Sequence, residues 1–353
     1  MNIAFDAKRY YHNHTGLGNY SRTLVQNLQQ FFPENEYTLL DEGAWNRTLR
    51  LGSKAAEAGA TVLHGLSNEL SFDIDHRKAS PVRGLVTLHD VAWRTFPAMY
   101  HRADRLIYDW KYGSSCRRAH QIVCISENTR RDVLRYYGVA EERVAVVYPA
   151  MLSLFYQPMS EAEAHQMLGE QPDYILYVGS LNSRKNLMSV LEALTLMPAE
   201  NRPRLIVVGN GREYRRRVEA FIADHALSPY VDIRDDVRDN HVLQALYRQA
   251  KAFVFPSFYE GFGLPLVESA LHHTPGITSR VSSLPEAAGP DACYTDPHSK
   301  DAAHHLVCHL DKLLGDSAYR NDLADRQEAY ARQTFDPRML TEKMMDLYRP
   351  LAQ

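Results

Sequence analysis

The sequence predicts an α/β protein of two domains, each built on a parallel sheet. Three observations carry this. The chain has 353 residues, a length that favours two domains over one. Short apolar strands alternate with helical patterns in both halves, as parallel sheets require. Strand, glycine-bearing loop and helix follow one another near residue 2 and again near residue 174, which is how an open α/β sheet begins.

Taken in order, the first strand is expected at Asn2 to Asp6. Gly16 and Gly18 follow in H-N-H-T-G-L-G-N-Y. A helix from about Gly18 to Gln30 carries Tyr20, Leu24, Leu28 and Phe31 on one stripe. The two glycines let backbone approach a substrate at the domain edge, although so short a Gly-x-Gly equally suits a plain turn. Further strands are expected at Tyr37 to Leu40, Thr61 to His64, Leu85 to Leu88, Gln121 to Ile125 and Val144 to Val147. Functional residues in such sheets gather at the carboxyl ends of strands. His89 and Asp90 directly follow V-T-L, and Ser126 follows I-V-C-I, so all three are site candidates. Ser126 also suits the N-cap of a helix running to Tyr137.

Arg102 to Ala119 reads as a helix carrying Arg102, Arg105, Lys111, Arg117 and Arg118, with Leu106, Ile107, Trp110 and Tyr112 among them. Such a helix either lies on an anionic membrane surface or packs one face on the core. From Arg94 to Arg135 there are nine basic residues against four acidic ones, a local excess that attracts anions. Over the whole chain the formal net charge is only -3. The four cysteines, Cys116, Cys124, Cys293 and Cys308, show no Cys-x-x-Cys spacing, which points to a reducing compartment and against a zinc site. The start lacks the apolar run of a signal peptide, and no stretch of about 18 apolar residues is present. A cytoplasmic protein that does not span a membrane is expected.

Pro149 to Pro172 mixes prolines, glutamates and a short helical piece and serves as the expected linker. Strand Tyr174 to Val178 then leads into G-S-L-N-S-R-K-N. Gly179 ends the strand, and Arg184 and Lys185 stand at the entrance of a helix from about Asn186 to Leu196. Two adjacent cations at the mouth of a β–α turn suit a diphosphate, because charge-assisted bonds to its oxygens are strong. Leu205 to Val208 is the next strand. The G-N-G after it lacks the third glycine of a dinucleotide fingerprint. Strand Val231 to Ile233 precedes a loop, Asp235 to Arg238, where a base could stack or bond to backbone groups, with Val237 at its centre.

The densest segment follows strand Ala252 to Phe255. It reads P-S-F-Y-E-G-F-G-L-P-L-V-E-S-A-L from Pro256, then S-L-P-E-A-A-G in a loop at Ser282 to Gly289. Pro265 suits the first position of a helix. Glu260 then ends a loop and Glu268 lies in the first helical turn. The amides of Gly263 to Leu266 are expected to lack intrahelical partners and to face an anion. Gly261 and Gly263 let backbone approach without a Cβ clash. A carboxylate at each end and helix amides between them suit an extended anionic ligand. Helices are expected at about Ser299 to Leu314, Tyr319 to Thr334 and Pro337 to Tyr348.

Together, T-G-L-G-N-Y, T-L-H-D, C-I-S-E-N-T, G-S-L-N-S-R-K-N, E-G-F-G-L-P-L-V-E and S-L-P-E-A-A-G resemble the retaining glycosyltransferases of family 4, across nearly the whole chain. The resemblance implies the GT-B fold: two Rossmann-like domains facing across a cleft. The acceptor domain would span 1–158 and the nucleotide-sugar domain 159–335, with a last helix, 336–353, crossing back. It also implies roles. Glu260 would hold hydroxyls of the donor sugar, assisted by amides around Phe262, Gly263 and Leu264. Glu268 would hold the ribose, and Arg184 and Lys185 the diphosphate, with Gly18 approaching from the other domain. His89 would lie at the reactive face, with Asp90 and Ser126 toward the acceptor. One departure is Tyr148-Pro149-Ala150, where the family often has Asn-Gly.

Glycosyl transfer passes through an oxocarbenium-like state while the diphosphate leaves. Fixed cations and helix amides stabilise that charge. With no Asp-x-Asp in a suitable loop, metal independence is expected, and no cofactor beyond the substrate. The pattern is similar to bacterial mannosyltransferases of surface polysaccharide synthesis, which makes GDP-mannose the expected donor and a glycan or lipid-linked glycan at the inner membrane face the expected acceptor. The rivals are an epimerase or phosphorylase of the same fold and a non-catalytic sugar-nucleotide-binding module. A nucleic-acid binder lacks any aromatic-basic recognition motif. The sequence leaves the oligomeric state open.

Overall fold

The computed structural model describes residues 1–13, 15–169 and 171–353. His14, in the first glycine-bearing loop, and Glu170, in the linker, lie outside them. The chain divides into two compact units. One comprises Met1–Leu152 and Phe335–Gln353, the other Ser153–Thr334. The joint thus falls at Leu152, where 158 was expected. Gln244 Nε2 donates to the Leu154 carbonyl at 2.8 Å and ties the linker's start to the second unit.

The described residues of the first unit form a six-stranded parallel sheet: β1 (Asn2–Asp6), β2 (Glu36–Leu40), β3 (Val62–Gly65), β4 (Arg83–Leu88), β5 (Gln121–Cys124) and β6 (Val144–Val146). Its order is β2-β1-β3-β4-β5-β6. Ile3 pairs with Tyr37 on one side and Val62 on the other. The inner strands are apolar runs because both faces are covered. Leu63, Val86, Leu88, Ile122 and Cys124 are buried together in one cluster. The strand order reverses at β1, so the crevice beyond the carboxyl ends of β1 and β3 is where this fold places ligands.

Helix Gly16–Phe31 begins two residues before the expected Gly18. Asn13 sets this start: its Oδ1 accepts from the amides of Thr15 (2.9 Å) and Gly18 (3.1 Å). A Cβ on Gly18 would sit 1.8 Å from the Asn13 carbonyl oxygen, so the glycine is demanded by the chain's own loop. A short helix, Lys8–His12, precedes it and was not expected. The last helix, Pro337–Tyr348, belongs to the first unit. Asp336 caps it, accepting from the Met339 amide at 2.8 Å, and Leu340, Met344, Met345 and Tyr348 form its buried face.

Helix Arg102–Arg118 turns apolar side chains outward. Leu106 is 71% exposed, Ile107 48% and Trp110 58%. With Ala103 they share one face at i, i+3, i+4 and i+7 spacing. Arg118 is the exception among its cations. It is buried and donates to the carbonyls of Leu70, Ser71 and Ile74.

The second unit's described residues form another six-stranded parallel sheet: β7 (Tyr174–Val178), β8 (Arg204–Val208), β9 (Val231–Arg234), β10 (Ala252–Phe255), β11 (Gly276–Ser279) and β12 (Cys293–Thr295). Its order is β12-β11-β10-β7-β8-β9, so direction reverses between β7 and β10. β11, β12 and helix Glu213–Asp224 have no counterpart in the sequence reading. Two expectations need correction. Ser282 to Gly289 is not all loop, because Leu284–Ala288 forms a short helix with Pro285 in its first turn. The helix expected from Pro265 runs Leu264–Leu271.

Candidate active site

The loops after β7 and β10 meet at the reversal point of the second sheet, and the chemistry-bearing side chains meet with them. After Gly179, residues Ser183–Lys185 make one 3-10 turn, capped by Asn182, whose Oδ1 accepts from the Lys185 amide at 3.2 Å. Asn186 then takes a left-handed conformation (φ 54°), which Asn tolerates better than most residues. Its Nδ2 donates to the Pro256 carbonyl at 3.1 Å, and the Phe258 amide donates to the Arg184 carbonyl at 2.8 Å. Helix Leu187–Leu196 starts only after this break.

These loop-to-loop bonds place both cations on Glu260. Arg184 Nη1 lies 3.1 Å from Glu260 Oε2, and Lys185 Nζ lies 2.7 Å from Glu260 Oε1. Lys185 Nζ also stands 4.7 Å from the centre of the Phe255 ring. Burial would raise the Glu260 pKa, but the charges of Lys185 and Arg184 outweigh it and hold the carboxyl below its ordinary value. The Glu260 amide donates to Ser282 Oγ at 3.0 Å. Ser283 Oγ donates to the carbonyls of Glu260 and Phe262. Ser282 holds φ 50°, unusual for a residue with a Cβ, so the clamp under Glu260 carries backbone strain.

Two expectations about the next helix change. The Leu266 amide is not left for a ligand, since it donates to the Gly263 carbonyl at 2.9 Å. Pro265 has no amide hydrogen, so the set of amides expected to face an anion narrows to those of Gly263 and Leu264. Gly263 has φ 121°, a conformation open to glycine. Glu268 lies in the second turn, one turn deeper than expected. Tyr247 donates its hydroxyl to Glu268 Oε2 at 2.9 Å. Burial nevertheless pushes the Glu268 carboxyl up to about 7. Val237 is half-buried in a loop that Arg215 braces through Asp235. Gly179 packs against the next loop, where a Cβ on Gly209 would sit 1.9 Å from its carbonyl oxygen.

In the first unit the candidates surround the end of β4. His89 is buried. Its amide donates to Asn68 Oδ1 at 2.7 Å, and its Nε2 lies 2.8 Å from the Leu66 carbonyl. A carbonyl only accepts, so Nε2 carries the proton. Burial lowers the His89 pKa against the opposing effects of the Leu66 carbonyl and Asp90, so the ring is neutral and Nδ1 keeps its lone pair. Asp90 accepts from the Ala92 amide at 3.1 Å and opens the next turn. Ser126 is a buried N-cap, accepting from the Thr129 amide at 3.0 Å. It acts on His89 at one remove, because Thr129 Oγ1 donates to the His89 carbonyl at 3.3 Å. Gly16 lies in the first turn of its helix with open space around it.

Arg184, Lys185 and Glu260 are therefore one cluster, and Gly261 to Leu264 continue from it. Glu268 stands apart with Tyr247. The reading missed Asn68, Asn182, Asn186, Ser282 and Ser283, which orient the site. Paired polar residues after strand ends, N-S-R-K-N and S-S-L-P-E, were the available signal.

The chain matches the family model described as glycosyl transferases group 1 over residues 160–334 and that of glycosyltransferase family 4 over residues 35–151. It is 31% identical over 288 residues to an O-antigen chain mannosyltransferase B of Escherichia coli, covering 80% of this chain and 73% of that protein. It is 30% identical over 213 residues to a serotype-specific mannosyltransferase WbdA of Escherichia coli, 58% of this chain but 26% of that longer protein. Its fold is similar to that of a sucrose-phosphate synthase from Thermosynechococcus elongatus (TM-score 0.80, 19% identity, 99% of both chains). It is also similar to that of Anabaena HepE in complex with UDP-glucose (TM-score 0.76, 15% identity, 99% of this chain and 100% of that one).

Proposed function

The chain belongs to the family 4 glycosyltransferases of GT-B fold, and we propose that it transfers mannose from GDP-mannose to a glycan or lipid-linked glycan, with retention of configuration. The mannosyl donor is supported by the names of the relatives. The chemistry is supported by one observation above all, two cations sharing one buried carboxylate at the reversal point of the second sheet.

In this reading Arg184 and Lys185 swing from Glu260 onto the diphosphate, and Glu260 is released to accept hydroxyls of the sugar. The amides of Gly263 and Leu264 add partial positive charge where the leaving phosphate develops negative charge. The bond from the anomeric carbon to the phosphate oxygen breaks, with its electron pair going to the phosphate. The acceptor hydroxyl attacks from the same face and gives its proton to that phosphate. The two cations do the charge stabilisation, so the transfer proceeds without a metal ion. His89 is a positioning group: its neutral Nδ1 accepts a hydrogen bond from the sugar or acceptor. Glu268 takes the ribose and the Val237 loop the base.

The acceptor reading includes a peripheral seat on the inner face of the membrane. No helix among the described residues is long and apolar enough to cross one. The exposed Leu106, Ile107 and Trp110 beside Arg102 and Arg117 suit an anionic lipid surface, apolar tips inserted and cations at the headgroups. A thermal-shift panel with GDP, UDP, dTDP and ADP tests the donor, since a bound nucleotide raises Tm. GDP should give the largest rise. A larger rise with UDP would overturn the mannose assignment, and NMR of the product's anomeric proton reads the configuration.

A further inference from the structure

We propose that Tyr20 is a positioning residue for His89, anchored through Thr87 and His64 to Tyr348 of the C-terminal helix, so that the seating of that helix sets the orientation of the His89 ring. The inference rests on the reading of His89 as a group that touches donor or acceptor.

His89 is held at two points by the loop after β3, through Asn68 and Leu66. A ring bonded through one nitrogen can still rock about that bond. The third constraint is Tyr20, whose ring meets the imidazole edge-on, with centroids 4.8 Å apart and planes at 89°. Tyr20 is itself fixed by its hydroxyl, 3.0 Å from Thr87 Oγ1. Thr87 lies two residues before His89, near the end of β4.

From Thr87 the chain of bonds leads away from the site. His64 Nε2 is 2.7 Å from Thr87 Oγ1, and His64 Nδ1 is 2.6 Å from the Tyr348 hydroxyl. Thr87, His64 and Tyr348 are fully buried. Burying polar groups in such a row costs stability unless each one is paired, and leaving one unpaired costs more than the pair contributes. An all-apolar contact would join helix and sheet at least as firmly. What the polar chain adds is a fixed geometry. Burial depresses the His64 pKa to about 3, so this ring is neutral, with one donating and one accepting nitrogen. The hydroxyls of Tyr348 and Thr87 must complement that tautomer. Loss of the Tyr348 hydroxyl leaves His64 Nδ1 unpaired and re-sorts the bonds at Thr87 and Tyr20.

The test compares Tyr20→Phe and Tyr348→Phe with Thr341→Val, which removes a buried hydroxyl from the same helix that bonds only to the Pro337 carbonyl of that helix. Each phenylalanine keeps the ring and deletes one link. GDP release from GDP-mannose, Tm and the imidazole nitrogen resonances of His89 are measured for all three. Both phenylalanine variants should lose roughly 3- to 10-fold in kcat with donor KM within about twofold, as expected for loss of orientation alone. Their His89 resonances should move. Thr341→Val should lower Tm and move neither kcat nor the resonances. Wild-type kcat and unmoved His89 resonances in the phenylalanine variants would reduce the chain to a structural brace. His89→Asn separates the two levels. If it is inactive while Tyr20→Phe and Tyr348→Phe behave as wild type, only this inference fails. If it is fully active, the reading of His89 fails and the inference with it. The resonance shifts report on the chain whichever nucleotide sugar is the donor.

Discussion

The ammonium of Lys185 lies 2.7 Å from Glu260 Oε1, although the two residues are held by loops that follow different strands. In the proposed mechanism, Lys185→Ala removes a cation from where the leaving phosphate develops charge. Loss of one such group costs about 100- to 1,000-fold in turnover. The fold should survive, because Arg184 still pairs with Glu260. Steady-state kinetics beside a thermal melt checks this, and near-normal turnover would remove Lys185 from the diphosphate site.

Glu268 makes donor binding and stability depend on pH in opposite directions. Its carboxyl is raised from 4.5 to about 7, so the folded protein holds this proton more tightly than the unfolded chain does. The stability it contributes is complete at low pH and is lost as pH rises through about 7. The ionised carboxylate binds ribose hydroxyls more strongly, so donor KM should fall over the same range. Glu268→Gln should flatten both profiles. Tyr247→Phe removes the bond that lowers this pKa and should move them to higher pH.

Gly209→Ala would bring a Cβ within 1.9 Å of the Gly179 carbonyl oxygen. The obstacle is backbone, so the loop carrying Arg184 and Lys185 must shift. Overpacking of this kind costs about 1–3 kcal/mol. A lower Tm with a raised donor KM is expected. A raised KM should be absent in Gly16→Ala, where a Cβ meets open space.

The proposed membrane attachment should be separable from catalysis. Replacing Leu106, Ile107 and Trp110 together by Ser should cut binding to anionic vesicles at least tenfold. Turnover on a soluble acceptor should stay near wild type, because these side chains are exposed. Neutralising Arg102 and Arg117 should weaken binding chiefly at low salt. Arg118 is unsuited to this test, since it holds three buried carbonyls in place. Unchanged sedimentation of the triple variant with vesicles would end the proposal.

The sheets were legible where strands are compact apolar runs. β1, β7 and β10 fall where the sequence predicts them. G-I-T-S and C-Y-T are short and carry polar residues, so β11 and β12 left no periodic signal. Helix Glu213–Asp224 does carry one, with Tyr214, Val218 and Ile222 four apart and buried. Arg184, Lys185 and Glu260 could each be picked out as site residues. Their direct pairing could not, because it depends on two loops separated by the whole of β8 and β9. The outward face of Arg102–Arg118 was equally hidden. Periodicity identifies a stripe, and only the neighbouring elements decide whether water covers it.

In the proposed donor site, two cations sharing one buried carboxylate make occupancy conditional. A free phosphate that draws off Arg184 and Lys185 strands Glu260 as a buried charge with no counterion, which is costly. A free sugar that bonds Glu260 must compete with both cations already there. Only a molecule carrying both halves, covalently joined, satisfies all three side chains at once. In the proposed site the trio would therefore hold the intact donor more tightly than either fragment into which the reaction divides it, with the free nucleotide still held through its base and ribose.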